Sequence, residues 1–237
     1  EVMADFRTYS TPKVRTEVLN VFMRGVYQWM AMGLGLTALV AYFVASSPTL
    51  IQAIFGNPLL FWGLIIGEVM LVVAISGGIT RLSAQAATTL FLVYSGLNGI
   101  TLSAILLIYT ATSIASTFVV CAGMFGAMSI YGLTTRKDLT SWGSFFFMGL
   151  VGIILASIVN IFLKSPTINF VVSAIGVIVF VGLTAYDTQK LKVMGETAPL
   201  DDSLAIRRGT ILGALTLYLD FINLFLMLLR FLGQTRD

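Results

Sequence analysis

The sequence predicts an all-α integral membrane protein of seven transmembrane helices, on three observations. Of its 237 residues, 57% are hydrophobic and 11% charged, whereas a soluble domain runs at about 45–50% apolar and about 25% charged. The charges are also confined. None occurs from Gly25 to Gly67 or from Leu82 to Thr135, and a bilayer span needs about 20 such apolar residues. Seven spans would use roughly 140 positions, which leaves almost nothing for a soluble domain.

Taken in order, residues 1–21 form a polar segment, expected to be cytoplasmic, that lacks the apolar core and cleavage site of a signal peptide. The chain opens Glu1-Val2-Met3, and the first helix is expected to be retained as an anchor. Helices are predicted at about 22–45 and 59–79, separated by Ser46-Ser47-Pro48 and Gly56-Asn57-Pro58. The second charge-free interval breaks near Tyr109 to Ser113 and gives helices at about 85–108 and 113–134. The turn Arg136-Lys137-Asp138 precedes a fifth span at about 142–163, and Lys164-Ser165-Pro166 a sixth at about 168–187. Thr188 to Arg208 reads as the one substantial loop before a seventh span at about 209–231, with a short tail at 232–237. The helical region 22–231 is one domain.

Cytoplasmic segments retain Lys and Arg. With the N-terminus inside, Arg7, Lys13, Arg15, Arg24, Arg81, Arg136, Lys137, Lys190, Lys192, Arg207 and Arg208 are cytoplasmic, leaving Lys164, Arg230 and Arg236 of the fourteen basic residues outside. Arg230 and Arg236 would also suit a seventh segment that re-enters rather than crosses. Glycines recur within spans, as Gly33 and Gly35, Gly96 and Gly99, Gly123 and Gly126, Gly176 and Gly182. They read as close helix packing within one bundle.

Several functions are excluded. A net charge of +3 spread along the chain does not point to nucleic acid. With no histidine, Ser-His-Asp triads, Cys-His pairs and HExxH metal sites are ruled out, so the chain is not expected to be an enzyme. The single cysteine, Cys121, lies in an apolar run and reads as packing. A retinal protein needs a lysine in its last span, and 209–231 has none.

The informative residues are ionisable ones inside spans, where each costs about 2.5–3.5 kcal/mol on insertion scales. Glu68 stands mid-span in Gly67-Glu68-Val69-Met70. Asp220 lies about eleven residues into the seventh span, roughly 16 Å deep at the helical rise. Asp187 stands at the inner end of the sixth, where the plain alternative is an acid facing water or pairing with Lys190 or Lys192. Asn98 and Asn160 read as interhelical glue, and Arg81 as a cytoplasmic stop signal or a gate. Two carboxylates from neighbouring helices in a low-dielectric interior share a proton and titrate as a pair. Deprotonated, such a pair attracts a hard cation such as calcium.

Two segments carry a resemblance. Gly182-Leu183-Thr184-Ala185-Tyr186-Asp187-Thr188-Gln189-Lys190-Leu191-Lys192 and Leu215-Thr216-Leu217-Tyr218-Leu219-Asp220-Phe221-Ile222-Asn223-Leu224-Phe225 resemble the transmembrane BAX inhibitor motif family, also called the Bax inhibitor-1/YccA family. The turn Leu133-Thr134-Thr135-Arg136-Lys137-Asp138-Leu139 looks like that family's loop between the fourth and fifth helices. The likeness covers nearly all the chain after about Tyr27 and is greatest to bacterial inner-membrane members.

The resemblance implies a seven-helix fold whose last helix is surrounded by the other six, and a multi-pass inner-membrane location. It also implies a pH sensor and cation site at Asp187 and Asp220, in a pH-sensitive calcium leak channel. Calcium would be the permeant or weakly bound ion, with no tightly bound cofactor. Some members close the pore with an arginine near the end of the second helix; Arg81 is the candidate here, displaced from that position beside Gly77-Gly78-Ile79-Thr80. Glu68 and Asn223 are candidate additional polar partners. The competing readings are a non-conducting interaction protein that modulates a membrane protease or a stress response, and a proton-coupled secondary transporter. The partners expected are the lipid bilayer, calcium, protons and a membrane protein.

Overall fold

The computed structural model describes residues 12–199 and 202–236, with side chains from residue 15 onward. The described residues form eight helices: α1 (Pro12–Ala45), α2 (Pro48–Phe55), α3 (Pro58–Gly78), α4 (Ala84–Ile108), α5 (Ala111–Thr134), α6 (Thr140–Leu163), α7 (Pro166–Glu196) and α8 (Ser203–Leu232). All but α2 are long and apolar enough to cross a membrane. The polar opening up to residue 11, with Arg7, lies outside the described residues.

Helix starts follow local chemistry. Ser47, Asn57, Ser83, Thr110, Ser165 and Asp202 each accept a hydrogen bond at the first turn that follows, satisfying backbone donors that have no partner within the helix. Proline opens α2, α3 and α7, where its missing N–H costs nothing. Several expected boundaries move. α1 begins at Pro12 rather than 22, and Leu19, ahead of the expected start, packs against Gly195 of the helix ending at Glu196. α2 was expected only as a break between spans; Ser47 caps it and Gly56 ends it. The largest correction concerns the expected loop from Thr188. α7 runs on to Glu196 instead of ending at 187, because Leu191 packs on Gly213 and Gly195 on Leu19 and Phe22. The helix therefore continues past the apolar stretch along a buried seam, and α8 resumes at Ser203.

The last helix is the core. In its most apolar stretch 72% of residues are buried, against 6% in α3 and α6. It packs on α7, α1, α5 and α4 and lightly on α3, while α6 leans on α7 and faces α8 across a cavity. The outer helices turn apolar side chains outward, among them Leu59, Trp62 and Val73 on α3 and Met148, Ile161 and Phe162 on α6, which suits hydrocarbon surroundings. α8 runs the length of the bundle and delivers the tail to the end opposite the start of α1. There the Gln234 N–H donates to Ser113 Oγ, the Thr110 N–H to Gln234 O and the Arg236 N–H to Ile108 O.

The glycines divide by role. A Cβ on Gly99 would lie 2.7 Å from Thr37 O, and one on Gly176 2.7 Å from Met227 Sδ, whereas Gly35, Gly96, Gly123 and Gly126 have open space. Gly99 and Gly176 thus permit close approach. Cys121 is buried, its thiol directed at Phe221 O 3.7 Å away, in keeping with a packing role.

Candidate functional site

Because α7 continues past 187, Asp187 stands inside a helix, level with Asp220 of α8. Their carboxyl groups lie on the wall of one cavity, near enough to act on one another electrostatically. Asp220 is 5% exposed, and among the described residues its Oδ2 meets no donor. The pair lies on a cavity of about 610 Å³ between α6, α7 and α8, with Ser144, Tyr186, Lys190, Thr216 and Asn223 also on its wall. Lys190, one turn beyond Asp187, is the cation that acts on it electrostatically. Lys192 is used elsewhere: its Nζ donates to Leu133 O at 2.9 Å, at the end of α5. Beyond Asn223 the α7–α8 seam closes where Met227 packs against Gly176.

The α5–α6 turn is held by the same stretch of α7. The Leu139 N–H donates to Gln189 Oε1 and the Gln189 Nε2 to Lys137 O, both at 2.8 Å. Gly132 of α5 admits the backbone of α7 at Ala185 without a side chain between them. Two of the three sequence segments singled out for their resemblance, 133–139 and 182–192, therefore brace one another.

The other candidates part company with the pair. Asn223 lines the cavity, but its Nδ2 donates to Leu219 O of its own helix at 2.8 Å. Arg81 is exposed in the α3–α4 turn and makes no hydrogen bond to either aspartate among the described residues, so the structure does not place it as a gate. Glu68 lies elsewhere, accepting a hydrogen bond from Thr101 Oγ1 at 2.8 Å.

A second polar cluster was not foreseen from sequence. Tyr218, fully buried on α8, exchanges a 2.6 Å hydrogen bond with Thr37 Oγ1 and accepts one from Asn98 Nδ2 at 3.0 Å; Asn98 Nδ2 also reaches Tyr94 OH at 3.4 Å. Nothing in a tyrosine within an apolar run marks it as the centre of a network. Asn98, read as interhelical glue, does bridge α4 to α8.

The sequence comparisons bear on this arrangement. The family model described as inhibitor of apoptosis-promoting Bax1 matches residues 19–237. The chain belongs to the Bax inhibitor family. The inner membrane protein YbhL of Escherichia coli K12 is 57% identical over 218 residues, covering 92% of this chain and 93% of the relative. An uncharacterised protein of Rickettsia prowazekii is 47% identical over 97% of this chain and 96% of its own length. Another, from Borreliella burgdorferi, is 47% identical over 93% of this chain and 94% of its own. This Bax inhibitor family member is a membrane protein expected to sit in the lipid bilayer, with both aspartate segments inside the matched region.

Proposed function

We propose that the chain is a pH-sensitive calcium leak of the inner membrane, its N-terminus cytoplasmic, with Asp187 and Asp220 as sensor and cation site. The observation that carries this reading is the meeting of the two carboxyl groups on the wall of a cavity that ends at a closed seam. Two acids side by side, one of them buried, share a proton. Losing it sets two negative charges face to face, which favours separation of α7 from α8 or entry of a cation. Separation relaxes Met227 from Gly176 and extends the cavity along the seam. The location follows the name of the relative YbhL. The orientation follows the basic residues Arg15, Arg24, Arg136, Lys137, Arg207 and Arg208, which gather at the end where α1 starts and α8 begins.

The donor set suits passage rather than storage. Calcium takes six to eight oxygen ligands, and no group of three acidic, histidine or cysteine side chains comes together among the described residues. The test is calcium entry into dye-loaded proteoliposomes across about pH 5 to 8 with intact protein, Asp187→Asn and Asp220→Asn. Flux that depends on pH, with the dependence flattened by either change, supports the leak. Liposomes that stay tight at every pH with folded protein return the chain to a non-conducting partner of other membrane proteins.

A further inference from the structure

The second polar cluster reaches the outside of the bundle at Glu68. This carboxylate sits mid-way along α3, half-buried, beside Val69 and Met70, which are 58% and 66% exposed. Thr101 Oγ1 of α4 holds Glu68 Oε1 at 2.8 Å and lies 3.0 Å from Asn98 O. From Asn98 the contacts run to Tyr94 and Tyr218, and from Tyr218 to Thr37, whose hydroxyl also lies 2.8 Å from Ser95 O. A hydrogen-bonded band thus crosses from α3 through α4 and α8 to α1.

The charges around Glu68 are quickly counted. It is the only ionisable residue of α3, and α2 and α4 carry no charged residue. Tyr94 of α4 and Tyr218 of α8 are the titratable groups facing it. The other ionisable groups of α8 are the arginines 207, 208 and 230 near its ends and Asp220, which turns to the cavity on the other side. An acid at mid-span with no cation pairing it among the described residues is costly as a carboxylate, and it is within reach of both hydrocarbon and an internal band of hydroxyls.

We infer that Glu68, held by Thr101 and backed by Asn98, Tyr94 and Tyr218, is a second proton-binding site on the opposite side of the central helix from the aspartate pair. The proton is taken up at the lipid-facing end of the band, and its loss places a charge against two phenols, one of them on α8. The inference stands whether or not the chain conducts calcium.

A hydrophobic carbodiimide tests it directly. Such a reagent reacts with a neutral carboxylic acid: the acid proton passes to a carbodiimide nitrogen as the carboxylate oxygen adds to carbon, and the adduct rearranges to a stable acylurea. The intact protein in liposomes is treated with dicyclohexylcarbodiimide at a series of pH values, and the adduct is located by peptide mass spectrometry. The expected result is an adduct at Glu68 whose yield falls several-fold as pH rises, in wild type and in the Asp187→Asn, Asp220→Asn double variant alike, and no adduct at that peptide in Glu68→Gln. Thr101→Val is expected to move the pH profile. Absence of the adduct while another membrane carboxyl is modified overturns the site, as does a yield indifferent to pH or a profile that vanishes with the aspartate pair. An unmoved profile in Thr101→Val removes Thr101 from it.

Discussion

Tyr218 and Asp220 stand two positions apart on α8 and look out from opposite sides of it, the one into a closed hydrogen-bonded network and the other into an open cavity. Two residues turn a helix by about 200°. The central helix therefore separates a satisfied polar cluster, which holds α1 and α4 to it, from an acidic contact with α7 that has no spare donor.

Tyr218→Phe is expected to destabilise the protein by about 1–3 kcal/mol, since it removes the two buried hydrogen bonds that the phenol makes with Thr37 Oγ1 and Asn98 Nδ2. Thermal unfolding in detergent measures the loss. The pH response of flux is expected to survive, because the aspartates lie on the other face.

Gly99→Ala is expected to cost about 1–3 kcal/mol, because the new methyl group meets the backbone of α1 at Thr37 and the side chain of Val40. Gly96→Ala, three residues earlier and facing open space, is expected to leave stability unchanged or raise it slightly by helix propensity. Equal losses in both would contradict this packing.

Lys190→Gln is expected to raise calcium entry a few-fold. A lysine on the cavity wall repels an approaching divalent ion, and at about 4 Å two unit charges interact by about 1 kcal/mol even in bulk water. Initial rates of dye response at fixed pH report the change, and a fall in rate would remove Lys190 from the ion path.

Gln189→Leu deletes both side-chain hydrogen bonds to the α5–α6 turn, worth about 0.5–1.5 kcal/mol each, and should speed hydrogen exchange at the Leu139 amide. The speeding is expected to be the same across about pH 5 to 8. Exposed Asp138 in that turn is held below the usual carboxylate range by the O–H and N–H of Thr140. A depressed carboxylate contributes above its unfolded value of about 3.9 and loses that contribution only as pH falls lower.

Much of this was legible. Composition and charge-free intervals fix the number of spans, and the cost of an acid in the bilayer singles out Glu68, Asp187 and Asp220 before any geometry is known. The meeting of the last two was not derivable from depth. It depends on α7 continuing through Thr188–Glu196, a polar stretch that a hydropathy reading ends, but that Leu191 and Gly195 keep helical by packing on α8 and α1. The Tyr218 network escaped for a related reason. A phenol is an ordinary member of an apolar helix, and its importance lies in partners 181 and 120 residues away. Arg81, read from sequence as a stop signal or a gate, stands exposed in the α3–α4 turn with no hydrogen bond to either aspartate among the described residues.

The central position of α8 has a bearing on biosynthesis. Chains are made from the N-terminus onward, so α1 to α7 leave the ribosome before the helix around which they are organised. Its acid would be poorly received by lipid alone, yet α7 already presents Asp187 to receive it. The first seven helices therefore emerge before the one that fills the space among them, and the hydrogen bonds of Gln234 and Arg236 to the α4–α5 turn can form only once α8 has been made.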